Sequence, residues 1–72
     1  MKTKVNFYEL DGENKLSAIS QMFTLASTYN FPGYIWWKDE DFIKEDLEND
    51  YNPDEHFSFY LDENEEVEVK IG

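Results

Sequence analysis

The chain has no cysteine, one histidine, two prolines, three glycines and only six basic residues. Each scarcity excludes something. Without cysteine there is no disulfide framework, and a lone histidine leaves a zinc site short of the three or four ligands it needs. Three glycines leave little material for a phosphate cradle, and no Walker loop, G-x-G-x-x-G, H-E-x-x-H or G-x-S-x-G frame occurs. Ser17, Ser20, Ser27 and Ser58 therefore lack the setting of a nucleophile. No apolar run approaches the length of a membrane span, and the positive Met1–Lys4 segment has no apolar stretch behind it to make a signal peptide. Six cations against 17 acids, a formal charge of -11 over 72 residues, leave no basic face for gripping a phosphate backbone. The expectation is one compact acidic domain over residues 1–72, without membrane, catalytic motif, cofactor or metal, in the cytoplasm.

Aromatic residues are abundant. They make up 18% of the chain, with six Phe, five Tyr and two Trp. Each buries about 150–250 Å². That content offsets the disorder a high net charge would otherwise favour.

The charge is unevenly spread. Residues 1–38 hold three acids (Glu9, Asp11, Glu13) and four lysines, while residues 39–68 hold fourteen acids and Lys44 alone, a net charge of -13. The anionic character belongs to the second half.

Lys2–Leu10 alternates around Val5 and Phe7 and predicts a strand ending at the Asp11-Gly12 turn. Leu16, Ile19, Met22, Phe23, Ala26 and Tyr29 share one helical face, with Asn14 as the expected N-cap and Asn30 to Gly33 as the stop. Tyr34–Trp37 reads as a short aromatic strand, and Asp39–Glu48 as a second, shorter helix with Phe42, Ile43 and Leu47 inward. Phe57, Phe59 and Leu61, then Val67, Val69 and Ile71, alternate with polar residues around Asp62–Glu66 and predict a terminal hairpin. The predicted class is α+β: about four strands in an antiparallel or mixed sheet, with one main helix on one face, in the order β-α-β-(α)-β-β.

Two metal readings fail on spacing. Asp50-Tyr51-Asn52-Pro53-Asp54 opens like a calcium loop, but Glu55 stands where glycine is required and Leu61 where the closing glutamate belongs. A register starting at Asp46 fares no better. His56 beside Asp54 and Glu55 reads as a surface histidine.

The acids themselves are the remaining signal. On a helix, Asp41, Glu45 and Glu48 form a stripe with axial steps of about 6 and 4.5 Å. Asp50, Asp54 and Glu55 extend it through the loop, and Glu63, Glu65, Glu66 and Glu68 form a patch on the hairpin. Duplex DNA carries one charge per ~1.7 Å of axis, so clustered carboxylates offer a comparable field to a protein with a basic groove. Trp36 and Trp37 are the candidate aromatic contacts.

In size, acidity and compactness the chain resembles the small phage-encoded DNA-mimic inhibitors: anti-CRISPR, anti-restriction and uracil-DNA glycosylase inhibitor proteins. The resemblance implies a non-enzymatic inhibitor in the host cytoplasm. It would occupy the basic site of a nuclease, effector complex, glycosylase or transcription protein without touching nucleic acid itself. A binding module such as an antitoxin, an immunity protein or a transcription regulator, anchored by exposed aromatics, is the alternative. A homodimer through the aromatic strand edge is a third. The order Phe7-Tyr8, Ser20 to Phe31-Pro32 and Ile43 to Leu47-Glu48 also resembles the YozE-like small helical proteins. Strand-like ends do not suit their all-helical fold.

Overall fold

The alternation of the last third of the chain builds the centre of the molecule. In the computed structural model, which describes residues 2–29 and 37–72, Phe57–Leu61 is strand β2 and Val67–Ile71 is strand β3. They pair antiparallel with Phe59 opposite Val69 and Leu61 opposite Val67. Thr3–Val5, strand β1, pairs antiparallel on the other side of β2, with Val5 opposite Phe59. The sheet order is β1-β2-β3. The class is therefore α+β, with three strands, all antiparallel, and two helices among the described residues. Three of the about four expected strands are present, the remaining one at Tyr34–Trp37 lying mostly outside the described residues, and the expected shorter second helix at Asp39–Glu48 is present as Glu40–Glu48.

Helix α1, Gly12–Tyr29, lies on the inner face of this sheet and buries Ala18, Ile19, Met22 and Ala26. Helix α2, Glu40–Glu48, contributes Ile43, with Phe42 and Leu47 half-buried. Phe57 and Phe59 point up from β2 into the same layer, each at most 1% exposed. Phe7 meets Phe59 edge-on at 5.4 Å. Burial of such a ring is worth about 1.5–3 kcal/mol, so these aromatics carry much of the stability of so short a chain. The outer face of the sheet is polar: Lys4, Tyr60 and Glu68 lie in one row across it, with Ser58 beside Lys70.

Two local expectations change, and a third falls largely outside the described residues. The first strand stops at Val5, because the chain turns into a 3-10 turn at Phe7–Glu9 that buries Phe7 and exposes Tyr8. Helix α1 begins at Gly12, two residues before the expected cap, because Asp11 caps it: its Oδ1 accepts from the Asn14 N–H at 2.8 Å. Asn14 turns outward to the hairpin instead. Of the predicted Tyr34–Trp37 strand, Tyr34, Ile35 and Trp36 lie outside the described residues, as does the helix stop at Asn30 to Gly33. Trp37 is described and is not in a strand. Asp39 caps α2, accepting from the N–H groups of Asp41 at 3.0 Å and Phe42 at 3.4 Å. No helix of the described residues is long and apolar enough to cross a membrane.

Candidate partner-binding surface

Some of the acids make specific bonds that hold the fold together, and several others are exposed at the surface. Short carboxylates near turns bond readily to backbone N–H groups. Asp11 and Asp39 cap the two helices. Both oxygens of Asp54 accept from the Phe7 N–H at 3.2 Å, joining the first 3-10 turn to a second one at Pro53–Glu55. Asp62 Oδ1 accepts from Asn64 N–H at 2.8 Å and Glu66 N–H at 3.0 Å and so shapes the hairpin turn. The Glu66 bond is the main reason the Asp62 carboxyl titrates below its ordinary value; burial opposes it, and Asn64 and Lys2 add to it. Asp46 accepts from the Trp37 indole. Glu68 accepts from the Lys2 ammonium, with Lys70 3.9 Å away. The Lys2 hydrogen bond is the main reason its carboxyl, too, titrates below the ordinary range.

Of the residues the sequence nominates, Asp54 and Glu68 therefore bond to other groups of the fold, Asp54 to a part-buried N–H and Glu68 to lysines on the outer sheet face. Asp41, Glu45, Glu48, Asp50, Glu55, Glu63, Glu65 and Glu66 are exposed. Asp41 has Lys44 at 3.8 Å, and Glu55 has His56 at 4.0 Å. These eight do not form one patch. Asp41, Glu45 and Glu48 run along α2, and Asp50 and Glu55 sit on the chain leading into β2. Glu63, Glu65 and Glu66 lie beyond its other end. The five residues of β2 intervene, about 16 Å at ~3.3 Å per residue.

The hairpin group gains two members the sequence reading missed. Asp11 and Glu13 come from the nearly neutral first half, yet wall the same cavity as Glu65 and Glu66, one of ≈ 450 Å³. Asn14 brings them together: its Nδ2 donates to the Glu65 carbonyl at 2.7 Å, and its Oδ1 accepts from the Val67 N–H at 3.3 Å. Those bonds span 51 and 53 residues, so no local pattern announces them.

Two of the exposed acids occupy left-handed backbone positions where glycine is the usual residue. Asp50 has φ 67° and Glu65 has φ 59°. Asp50 ends α2: Tyr51 N–H reaches back to the Asp46 carbonyl at 3.1 Å, the six-to-one bond of a Schellman cap. Glu65 follows a turn closed by its own N–H to the Asp62 carbonyl at 3.0 Å, and Asp62 N–H pairs with the Glu66 carbonyl at 3.1 Å. That is the three-residue hairpin in which the left-handed bulge position favours glycine.

The aromatic candidates fare differently. Trp37 is 7% exposed, sealed by Asp46 and packed edge-on against Tyr51, so its place is in the core. Trp36 lies outside the described residues. Among the described residues the exposed large apolar side chains are Tyr8, Leu16, Tyr29 and Ile71. Among the described residues no group of three His, Cys, Asp or Glu is arranged to hold a metal ion. His56 stacks flat on Tyr51 at 6.3 Å. Lys2, Lys4 and Lys70, half of the six cations, share the outer sheet face, and Lys70 lies 5.7 Å over the Tyr60 ring. No protein-family model, curated protein or solved structure matches the chain.

Proposed function

We propose that the protein is a non-enzymatic inhibitor that presents a DNA-like set of carboxylates to the basic nucleic-acid site of a partner protein. The observation that supports this most is the division of the acids. The fold uses Asp11, Asp39, Asp46, Asp54, Asp62 and Glu68 in specific bonds. Two exposed groups of acids lie one beyond each end of β2. A gap of about 16 Å corresponds to about five phosphate steps along one DNA strand at 3.4 Å each. The groups thus match two separated phosphate contacts better than one continuous run. The lysines of the outer sheet face give the molecule a polarity that would orient its approach to a basic groove, acidic side first.

The alternative reading, a binding module anchored by aromatics, now rests on Tyr8 and Tyr29, which are 55% and 63% exposed, and not on Trp37. One comparison separates the two. A panel of DNA-cleaving, glycosylase and RNA-guided proteins is titrated with the parent chain and two variant sets. One set changes Glu45, Glu48, Glu65 and Glu66 to glutamine, and the other changes Tyr8 and Tyr29 to alanine. Mimicry predicts that the glutamine set loses most affinity and that parent binding weakens at least tenfold between about 50 and 200 mM salt. Binding that survives the glutamine set and fails with the alanine set supports the anchored module and contradicts mimicry.

A further inference from the structure

In a sheet of order β1-β2-β3, β3 is an edge strand among the described residues. An edge strand offers unpaired N–H and C=O groups to any other strand. On β3 three of these groups are already taken, and by side chains. The Val67 N–H donates to Asn14 Oδ1 at 3.3 Å, and the Val69 N–H donates to Gln21 Oε1 at 2.9 Å. The Val67 carbonyl accepts from Gln21 Nε2 at 3.0 Å. Hydrogen-bonding direction alternates along an antiparallel strand, so Val67 and Val69 point these groups away from β2 while Glu68 and Lys70 point theirs towards it. A glutamine carboxamide has one donor side and one acceptor side, as a peptide group has. Gln21 therefore meets the Val67 carbonyl and the Val69 N–H as the N–H and C=O of one residue in a fourth strand would. Ser17 Oγ, 3.2 Å from Gln21 Nε2, and the Glu65 carbonyl, 2.7 Å from Asn14 Nδ2, hold the two amides in place. Asn14 and Gln21 stand seven residues apart, about two turns of α1, so one helix face delivers both.

We propose that Asn14 and Gln21 are an edge cap, an intramolecular contact that keeps β3 from pairing with β3 of a second copy. The strand is suited to that pairing. The residues whose backbone groups face the edge are Val67, Val69 and Ile71, so an antiparallel pair centred on Val69 sets Val67 of one copy against Ile71 of the other. In the same register Glu68 of each copy faces Lys70 of the other on the outer sheet face, an opposite-charge cross-strand pair. The result is an isologous, twofold, six-stranded sheet. The cap fills three of the six backbone groups this sheet needs, both of Val67 and the N–H of Val69.

The full chain is compared with Gln21→Leu and with Asn14→Leu/Gln21→Leu. Amide exchange at Val69 is read against Lys70, whose N–H lies inside the ladder, and mass is read by sedimentation velocity. The parent chain is expected to be monomeric. Gln21→Leu is expected to speed Val69 exchange at least about fivefold, the worth of one hydrogen bond, and to leave Lys70 unchanged. The double variant is expected to form a dimer as concentration rises, and Lys70→Glu added to it, which sets like charges opposite each other, is expected to abolish that dimer. A folded double variant that stays monomeric at every concentration, or a Val69 exchange rate indifferent to Gln21→Leu, overturns the proposal. Should the double variant lose its circular dichroism, both readings are taken on Gln21→Met, which removes a single amide, with the same outcomes deciding.

Discussion

Replacing Glu65 with glycine is expected to stabilise the protein while weakening its binding to a basic partner. Glu65 holds φ 59° at the bulge of the β2–β3 hairpin. The left-handed conformation costs a residue with a Cβ about 1–2 kcal/mol. Glycine escapes that cost but gives the unfolded chain more freedom, which offsets about 0.4–1 kcal/mol. Removing one carboxylate from beside Glu66, Asp11 and Glu13 adds a few tenths of a kcal/mol through relieved repulsion. The contacts Glu65 makes through its backbone, the carbonyl to Asn14 and the N–H to Asp62, are retained. The net gain is about 0.5–1 kcal/mol, or roughly 2–8 °C in Tm for a domain of this size. Urea unfolding followed by tryptophan fluorescence measures the first, and a thermal scan the second. Glu65→Ala is the control: it relieves the same repulsion but keeps the strained φ, so it should gain at most a few tenths of a kcal/mol. Equal stability of the glycine and alanine variants would refute the strain argument. A glycine variant less stable than the parent would refute the whole ledger.

Asp50→Gly is expected to behave similarly at the end of α2 and to gain about 1 kcal/mol in urea unfolding, since it also removes a negative charge from the helix C-terminus. Asp54→Ala is expected to cost about 1–3 kcal/mol, because the part-buried Phe7 N–H loses its acceptor; Asp54→Asn, which keeps an oxygen there, should recover most of the loss. Lys2→Met is expected to raise the Glu68 carboxyl towards its ordinary value of 4.5, read by an NMR pH titration, because the Lys2 hydrogen bond is the main cause of the lowering. Both lowered carboxyls, Asp62 and Glu68, add stability that is fully present above their ordinary values of 3.8 and 4.5 and is lost as pH falls through the lowered ones. Denaturant titrations across that acid range should therefore show a smaller acid loss for Lys2→Met than for the parent.

The elements that alternate or repeat were legible in the sequence, and those that depend on distant partners were not. Phe57–Leu61 and Val67–Ile71 emerge with the bounds their alternation predicts, because a hairpin buried on one face admits a single register. Helix α1 follows its apolar spacing at Ile19, Met22 and Ala26, with Phe23 half-buried, whereas Leu16 and Tyr29 of the same predicted face are exposed. Its cap was misplaced because Asp11 and Asn14 are both good capping residues, and the contact that decides between them is made by Asn14 across 51 residues to Glu65. The predicted first strand was too long because Phe7 and Val5 share a parity the backbone does not continue; the capture of the Phe7 N–H by Asp54, 47 residues on, starts a turn instead. For the candidate surface, the acidic half was visible at once, but the roles within it were not. Nothing in the order of residues distinguishes Asp54, bound to a backbone group, from Glu55 beside it. Nor does it bring Asp11 and Glu13 to the hairpin.

The central claim is that these carboxylates take the place of phosphates in a partner's nucleic-acid site. It is tested most directly by the inhibition of a DNA-acting partner measured at several DNA concentrations. Mimicry predicts an apparent inhibition constant that rises in proportion to DNA, with the maximal rate restored at saturating DNA. Inhibition that DNA does not relieve would contradict the account.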